Sequence, residues 1–373
     1  MKLVTQVKLL PNEEQTSALR RTLLRANALC DWLSAKAWES KEFRKFDLQK
    51  LTYHEARQVF PDIGANTLIR CIAKVADSYK VDKLIQREFR PSGSISYNYQ
   101  LLTWKSSNTV SIWTVDGRIH VPYTGSQEAL QMLDFPRGEV DLVLKRGKFY
   151  LNVSIDVPDV LPSPPKGWLG VDMGIVNLAV DSDGDIFSGT KTEEVRQRYQ
   201  GHRQRLQTTG TKSAKRRLKK ISGKEARFKS IENHRISKAI VSKAKGTARG
   251  IALEILEGIT KRVTVRKSQR AKLSSWAFHQ LKTYITYKAS LAGVEVQLVL
   301  AHFTSQICPS CGVIDKKNRR SQAEFQCRHC DYKNHADIVG AINVSLRAAV
   351  NQPSVGVVDR VASTGDYLQH LSF

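Results

Sequence analysis

Acidic residues are scarce in this 373-residue chain: 35 Asp and Glu face 59 Lys and Arg, leaving a formal net charge of +24. Such an excess repels itself in a compact fold unless an anion relieves it, which makes nucleic acid the expected partner. A membrane surface is the second candidate, but no basic amphipathic helix with a Trp- and Phe-rich face supports it. No apolar run reaches membrane-spanning length. The opening Met1-Lys2-Leu3-Val4 leads into a charged segment and not into a signal-peptide core, so the expected compartment is the cytoplasm. With 22 Gly, 11 Pro and six Cys, and 41% hydrophobic residues, collagen-like, wholly disordered and disulfide-scaffold classes are excluded. No internal repeat is present. The length suffices for two or three domains.

Residues 1–10 alternate as a strand, and helical periodicity runs from Pro11 to about residue 90. From Ser92 to Val157 short β-rich runs alternate with Gly and Asp turns, which predicts a small antiparallel barrel or sheet. Four prolines in residues 157–167 mark the domain boundary. The segment WLGVDMGIVNLAVDSDGDIFSG, residues 168–189, reads as three strands, the last two joined at Ser182-Asp183-Gly184. Residues 191–229 carry 14 Lys and Arg against three acids, a net of +11, at helical spacing broken by Gly210 and Gly223. The strand GIALEIL follows, then an acid-free basic stretch over 261–272. A helix comes next, with Leu273, Trp276, Leu281, Tyr284, Lys288 and Leu291 on one stripe, ended by Gly293. The strand VEVQLVLA and a last helix around 337–349 complete the pattern.

Cys308, Cys311, Cys327 and Cys330 form C-x2-C-x15-C-x2-C. Each pair offers two thiolates about one turn apart, and two pairs complete a tetrahedral sulfur shell for one structural zinc. An iron–sulfur cluster and four unrelated thiols are the alternatives. Gly312 allows the tight turn after Cys311. Cys30 and Cys71, isolated among apolar residues, read as small buried hydrophobes.

Three acids stand in apolar settings: Asp172 at the end of a strand, Glu254 within GIALEIL, and Asp337 before Ile338-Val339-Gly340-Ala341. Alone, each fits an N-cap or a surface-facing strand position. As a set, on rigid strands in a chain that favours phosphate, they suit magnesium. Two such ions activate water and stabilise the leaving oxygen of a phosphodiester. The basic stretches read as phosphate contacts that position a backbone, with Arg196, Arg203, Arg216 and Arg217 as candidates, or as a solvated helix face. Tyr97, Tyr99, Trp104, Trp113 and Tyr123 belong either to the core or to a stacking surface for RNA bases.

GVDMGIVNLAVDSDG, the EIL strand, Trp276, His279-Gln280-Leu281, Tyr287-Lys288-Ala289, Gly293-Val294, Thr304-Ser305-Gln306 and Cys308-Pro309-x-Cys311-Gly312 together resemble TnpB. TnpB is the RNA-guided nuclease of insertion-sequence transposons, related to the miniature type V CRISPR effectors. The segment Asp337-x3-Ala341-x-Asn343 fits as well, and the resemblance covers residues 167–345. It implies an α/β and β multidomain chain. A β-barrel wedge would span 1–10 and 92–165, with a helical recognition insert over 11–91. An RNase H-like (RuvC) nuclease domain would span 166–301 and 336–350, with a zinc knuckle over 302–335 and a tail over 351–373. It further implies catalytic, Mg2+-binding acids at Asp172, Glu254 and Asp337, zinc on the four cysteines, and a guide RNA from the transposon end. Target double-stranded DNA would be cut beside a short motif, in the prokaryotic cytoplasm or nucleoid. Two departures stand out. Ile255 follows Glu254 where the family has an acid or amide, with Glu257 nearby. Val339-Gly340 replaces Asn-Ala, which reads as a neutral packing change. A nuclease-inactive RNA-guided regulator and a transposase acting without RNA are the rival functions.

Overall fold

A computed structural model of the chain describes residues 1–105, 108–255 and 278–350. The basic stretch 261–272, Glu257, Leu273, Trp276 and the tail 351–373 lie outside the described residues. The chain divides into two units, Met1–Pro158 and Asp159–Phe373.

In the first unit β1 (Lys2–Leu9) is followed by three helices, α1 (Glu13–Ser40), α2 (Lys45–Val59) and α3 (Ala65–Val81). The α1 start is a capping box. Asn12 Oδ1 accepts the Gln15 N–H at 2.8 Å, and Gln15 Oε1 accepts the Asn12 N–H at 3.1 Å. The helices pack on one another through Leu19, Leu23 and Leu33 of α1 and Leu68, Ile72 and Val75 of α3, with Cys30 and Cys71 buried among them. The remaining elements are β2 (Ile95–Tyr97), β3 (Leu102–Lys105), β4 (Thr109–Thr114), β5 (Gly117–Thr124), α4 (Gln127–Met132), β6 (Arg137–Lys145) and β7 (Lys148–Asp156). They join β1 in an antiparallel sheet of order β2-β6-β7-β1-β5-β4-β3. Its edge strands β2 and β3 follow one another in the chain, so the sheet curls until nearly closed. Tyr97 and Tyr123 are core residues, Trp104 and Trp113 are half-buried, and Tyr99 is 79% exposed.

The second unit is built on a five-stranded sheet. Its strands are β8 (Trp168–Asp172), β9 (Asn177–Asp181), β10 (Ile186–Ser188), β11 (Gly250–Glu254) and β12 (Val296–Val299). The order is β10-β9-β8-β11-β12, with β8, β11 and β12 parallel and the β10 and β9 edge antiparallel. The helices are α5 (Thr190–Thr209), α6 (Lys212–Ile221), α7 (Lys224–Gly246), α8 (Phe278–Ala292) and α9 (Ala336–Val350). The parallel strands carry helices on both faces, which is why GIALE is buried at every position. Leu169, Val171, Ile251 and Leu253 share one core with Ile236, Ile240 and Ala244 of α7 and Leu281, Ile285 and Ala289 of α8. Trp168, Ala252 and Val299 meet Val344 and Ala348 of α9 on the other face. The buried stripe of α8 is thus Leu281, Ile285 and Ala289. Tyr284 and Lys288, placed on it from spacing, lie beside it and bond to α7: Lys288 Nζ donates to the His234 carbonyl and to Ser237 Oγ, both at 2.7 Å. Gly210 and Gly223 end α5 and precede α7 at φ +64° and +75°, as the sequence predicts.

Helix α9 crosses β8 at backbone contact. A Cβ on Gly170 would lie 2.0 Å from the Ala341 carbonyl oxygen and 2.6 Å from the Ser345 nitrogen, and neither backbone atom has room to retreat. Ser345 Oγ donates to the Trp168 carbonyl at 2.8 Å across the same crossing. Gly170→Ala is therefore expected to destabilise this unit by about 3 kcal/mol or more, at the upper end of overpacking costs. Urea unfolding measures it, and a loss below about 0.5 kcal/mol would contradict the close crossing. No helix among the described residues is long and apolar enough to cross a membrane.

Candidate active site and metal centre

The crossing of α9 over β8 determines where three carboxylates meet. Asp172 ends β8, Glu254 ends the neighbouring parallel strand β11, and Asp337 lies in the first turn of α9. Asp337 is inside the helix, so it is not an N-cap. Both its oxygens are engaged by side chains: Asn177 Nδ2 donates to Oδ2 at 2.9 Å and Arg319 Nη2 to Oδ1 at 3.0 Å. Glu254 is buried and accepts a hydrogen bond from Thr304 Oγ1 at 2.6 Å on Oε1. Thr304 is held in turn by Asn343 of α9, whose Nδ2 donates to the carbonyls of Thr304 (2.7 Å) and Ile307 (2.9 Å). Gly340 of α9 faces the Asp172 side chain. A Cβ there would lie 2.9 Å from Asp172 Oδ2, a contact that a small shift of the carboxylate end relieves.

Burial pushes the Asp172 carboxyl up from 3.8 to about 7, the charges of Glu254 and Asp337 add to the rise, and Arg319 opposes it. Burial also raises Glu254, against the Thr304 hydrogen bond and the charge of Arg347. The site thus holds concentrated negative charge that Arg319 and Arg347 only partly offset. Its carboxylates are more widely spread than the cysteine sulfurs described below. Among the described residues, only those sulfurs gather three or more metal-ligating atoms within 4.8 Å of one another.

The electrostatics make a pH prediction. A carboxyl raised from 3.8 to about 7 keeps in the folded chain a proton that the unfolded chain releases, so metal-free protein loses stability as pH rises through that window. Asp172→Asn, which stays neutral, is expected to melt several degrees above the parent in chelator at pH 8, roughly what a few kcal/mol gives. The gap should close near pH 4. Equal melting temperatures at pH 8 would contradict the raised Asp172.

Arg319 has no mark in the sequence, and Asn177 and Thr304 stand there only inside the family motifs, with no role attached. They lie 18, 160 and 50 residues from the acids they contact. No local pattern marks such pairs.

The four cysteines converge, with Cys308 and Cys330 sulfurs 3.7 Å apart and those of Cys311 and Cys327 3.6 Å apart. Tetrahedral zinc with bonds of about 2.3 Å requires sulfurs about 3.8 Å apart, so the set fits one such ion. Gly312 turns at φ +75° and its N–H donates to the Cys308 carbonyl at 2.9 Å. The second pair sits in the turn between β13 (Glu324–Gln326) and β14 (Lys333–His335), which pair antiparallel. Burial works against the Cys327 thiolate, but the backbone N–H groups of Cys330 and His329 and the neighbouring thiols lower its pKa overall. No histidine joins the cluster; His335 Nδ1 instead accepts the Asp337 N–H at 3.3 Å. Phe325 is fully buried beneath the sulfurs, in one core with Cys308, Cys327, Ala336 and Val339. The cysteine unit and the start of α9 are therefore packed as one body.

Of the four candidate arginines, Arg196 is bound to Glu193 through Nε (2.7 Å) and Nη2 (2.8 Å), and Arg203 to Glu225 at 2.8 Å. Arg216 and Arg217 are exposed. The acid-rich turn of β9 and β10 is internally neutralised: Lys243 Nζ bridges Asp181, Asp183 and Asp185 at 2.6, 3.1 and 2.8 Å, and Arg249 Nη2 pairs with Asp183 at 2.6 Å.

A family model described as the Cas12f1-like TNB domain matches residues 278–344, the segment from α8 through the cysteines into α9. The chain is 26% identical over 319 residues to the CRISPR-associated endodeoxyribonuclease Cas12f1 of Syntrophomonas palmitatica, covering 79% of this chain and 61% of that protein. It is 29% identical over 173 residues to a TnpB-like protein of Methanocaldococcus jannaschii, covering 44% of this chain and 62% of the relative. It thus spans about three-fifths of the length of these relatives. The fold matches the protein in a solved Cas12f1–sgRNA–target DNA complex with a TM-score of 0.63 at 15% identity, over 90% of this chain and 83% of that one.

Proposed function

We propose that this chain, a relative of TnpB and of the miniature type V effectors, is an RNA-guided DNA endonuclease that hydrolyses phosphodiesters at Asp172, Glu254 and Asp337. One observation carries this reading: three acids from separate elements share one site, where burial first and then the charges of Glu254 and Asp337 raise the Asp172 carboxyl. A carboxylate cluster that repels itself is poorly suited to structural support and well suited to cations. The second unit would be the RNase H-like (RuvC) nuclease domain carrying the zinc knuckle. The nearly closed sheet of the first unit would be the wedge, and α1–α3 the recognition insert. The guide would come from the transposon's own end.

The donor set fits magnesium, since all three groups are hard oxygen ligands and Asp172 gives up its proton only near neutral pH. Magnesium supplies a lowered water pKa and a counter-charge for the leaving oxygen. The chain's own residues fix the geometry. Asn177 and Arg319 orient Asp337, and Thr304 holds one oxygen of Glu254 so that the other is free to bind. Water then attacks phosphorus in line, the P–O3′ bond breaks, and the 3′ oxygen takes up a proton. The test is cleavage of a plasmid by the chain loaded with its own RNA, with magnesium or EDTA present. Cutting that follows a changed guide segment and stops in EDTA is expected. Cutting that ignores the RNA would overturn the guided reading.

A further inference from the structure

Helices α5 and α7 sort their cations. Arg196, Arg203 and Lys229 are tied to Glu193 or Glu225. Lys191 and Arg198 of α5, and Lys224 and Arg227 of α7, are exposed and pair with no carboxylate among the described residues. These four, with one acid, Glu194, line a cleft of about 560 Å3 between the two helices. Its other walls are apolar: Val195, Tyr199, Phe228 and Ile231, with both rings half-buried and Ile231 64% exposed. The spacing 191, 195, 198, 199 puts one face of α5 toward the cleft, and 224, 227, 228, 231 does the same for α7. A merely solvated basic face would not hold two rings and an isoleucine at its centre. Duplex binding needs phosphate contacts and no apolar floor. Rings flanked by free cations are instead what a single strand requires, with bases stacked on the rings and phosphates on the cations.

We propose that this cleft binds single-stranded nucleic acid, with unstacked bases against Tyr199 and Phe228 and the backbone on Lys191, Arg198, Lys224 and Arg227. The proposal deepens the nucleic-acid reading above and rests on it. It places the contacts on different residues from Arg196 and Arg203, whose charges are already spent within the fold.

The test uses the full chain with fluorescent rU12, dT12 and a 12-base-pair duplex, read by anisotropy at 0.3 M NaCl, where electrostatic binding is weak. Tyr199→Ala/Phe228→Ala is expected to weaken at least one single-stranded probe about tenfold and the duplex less than twofold. The larger loss on rU12 assigns the cleft to RNA, and the larger loss on dT12 assigns it to a DNA strand. No loss on either, or an equal loss on the duplex, overturns the proposal. If the double variant misfolds, ultraviolet crosslinking of 4-thio-substituted probes to the unaltered chain replaces it. Adducts within 191–199 or 224–231 are expected, and adducts only elsewhere overturn it. Homopolymer probes need no guide, so failure here is distinct from failure of the RNA-guided reading.

Discussion

Asp172→Ala should abolish DNA cutting while leaving guide-dependent binding of the same target within severalfold. The magnitude follows from the proposed chemistry. Carboxylates that hold catalytic cations contribute several kcal/mol of transition-state stabilisation, so a loss of roughly a thousandfold or more in rate is expected. Binding of guide and target would rest on basic surface elsewhere, so removing one acid should leave it intact or slightly stronger. The geometry favours a clean result, because Asp172 ends its strand and its carboxylate occupies the space beside Gly340 without supporting the core. Single-turnover cleavage and filter binding, run side by side, separate the two effects. Equal losses in both would remove Asp172 from the chemistry. Full cutting by the variant would remove the whole carboxylate site.

The second large effect concerns the cysteines. Structural zinc in small knuckles contributes on the order of 10 kcal/mol to local folding. Cys308 and Cys327 share a core with Phe325, Ala336 and Val339, so zinc held there would also support the first turn of α9, where Asp337 sits. Cys311→Ser should therefore lose the metal, lower the melting temperature of the second unit by roughly ten degrees or more, and cut activity although no sulfur touches the acids. Arg319, which lies between the two cysteine pairs and bonds to Asp337, transmits the same loss. Metal analysis and calorimetry check this. Full zinc content with unchanged melting would contradict a structural metal, and unchanged activity after metal loss would contradict the coupling to α9.

Much of this arrangement can be read along the chain. The cysteine spacing, the breaks at Gly210 and Gly223, and acids standing in apolar strands are local patterns, and local patterns report local structure. The parts that stayed hidden are those made by chain crossing. Gly340 and Asp172, far apart in the chain, are neighbours only because α9 crosses β8. The burial stripe of α8 came out shifted because Tyr284 and Lys288 satisfy their polar ends on α7, and periodicity does not distinguish a residue beside the core from one inside it. Arg196 sits three residues from Glu193, a spacing at which two side chains meet on a helix. Arg203 pairs with Glu225 across a helix–turn–helix return that spacing alone does not define. Asn343 belongs to the family motif, but its work, holding the loop that carries Thr304 and leads to Cys308, is visible only in three dimensions.

The central claim is that this chain is a nuclease directed by RNA. The most direct measurement is to sequence the RNA that copurifies with the chain when it is expressed together with its native flanking DNA. The account predicts one structured RNA ending in a variable segment, recovered in near-equal amount to the protein. Random cellular RNA, or none, would contradict it.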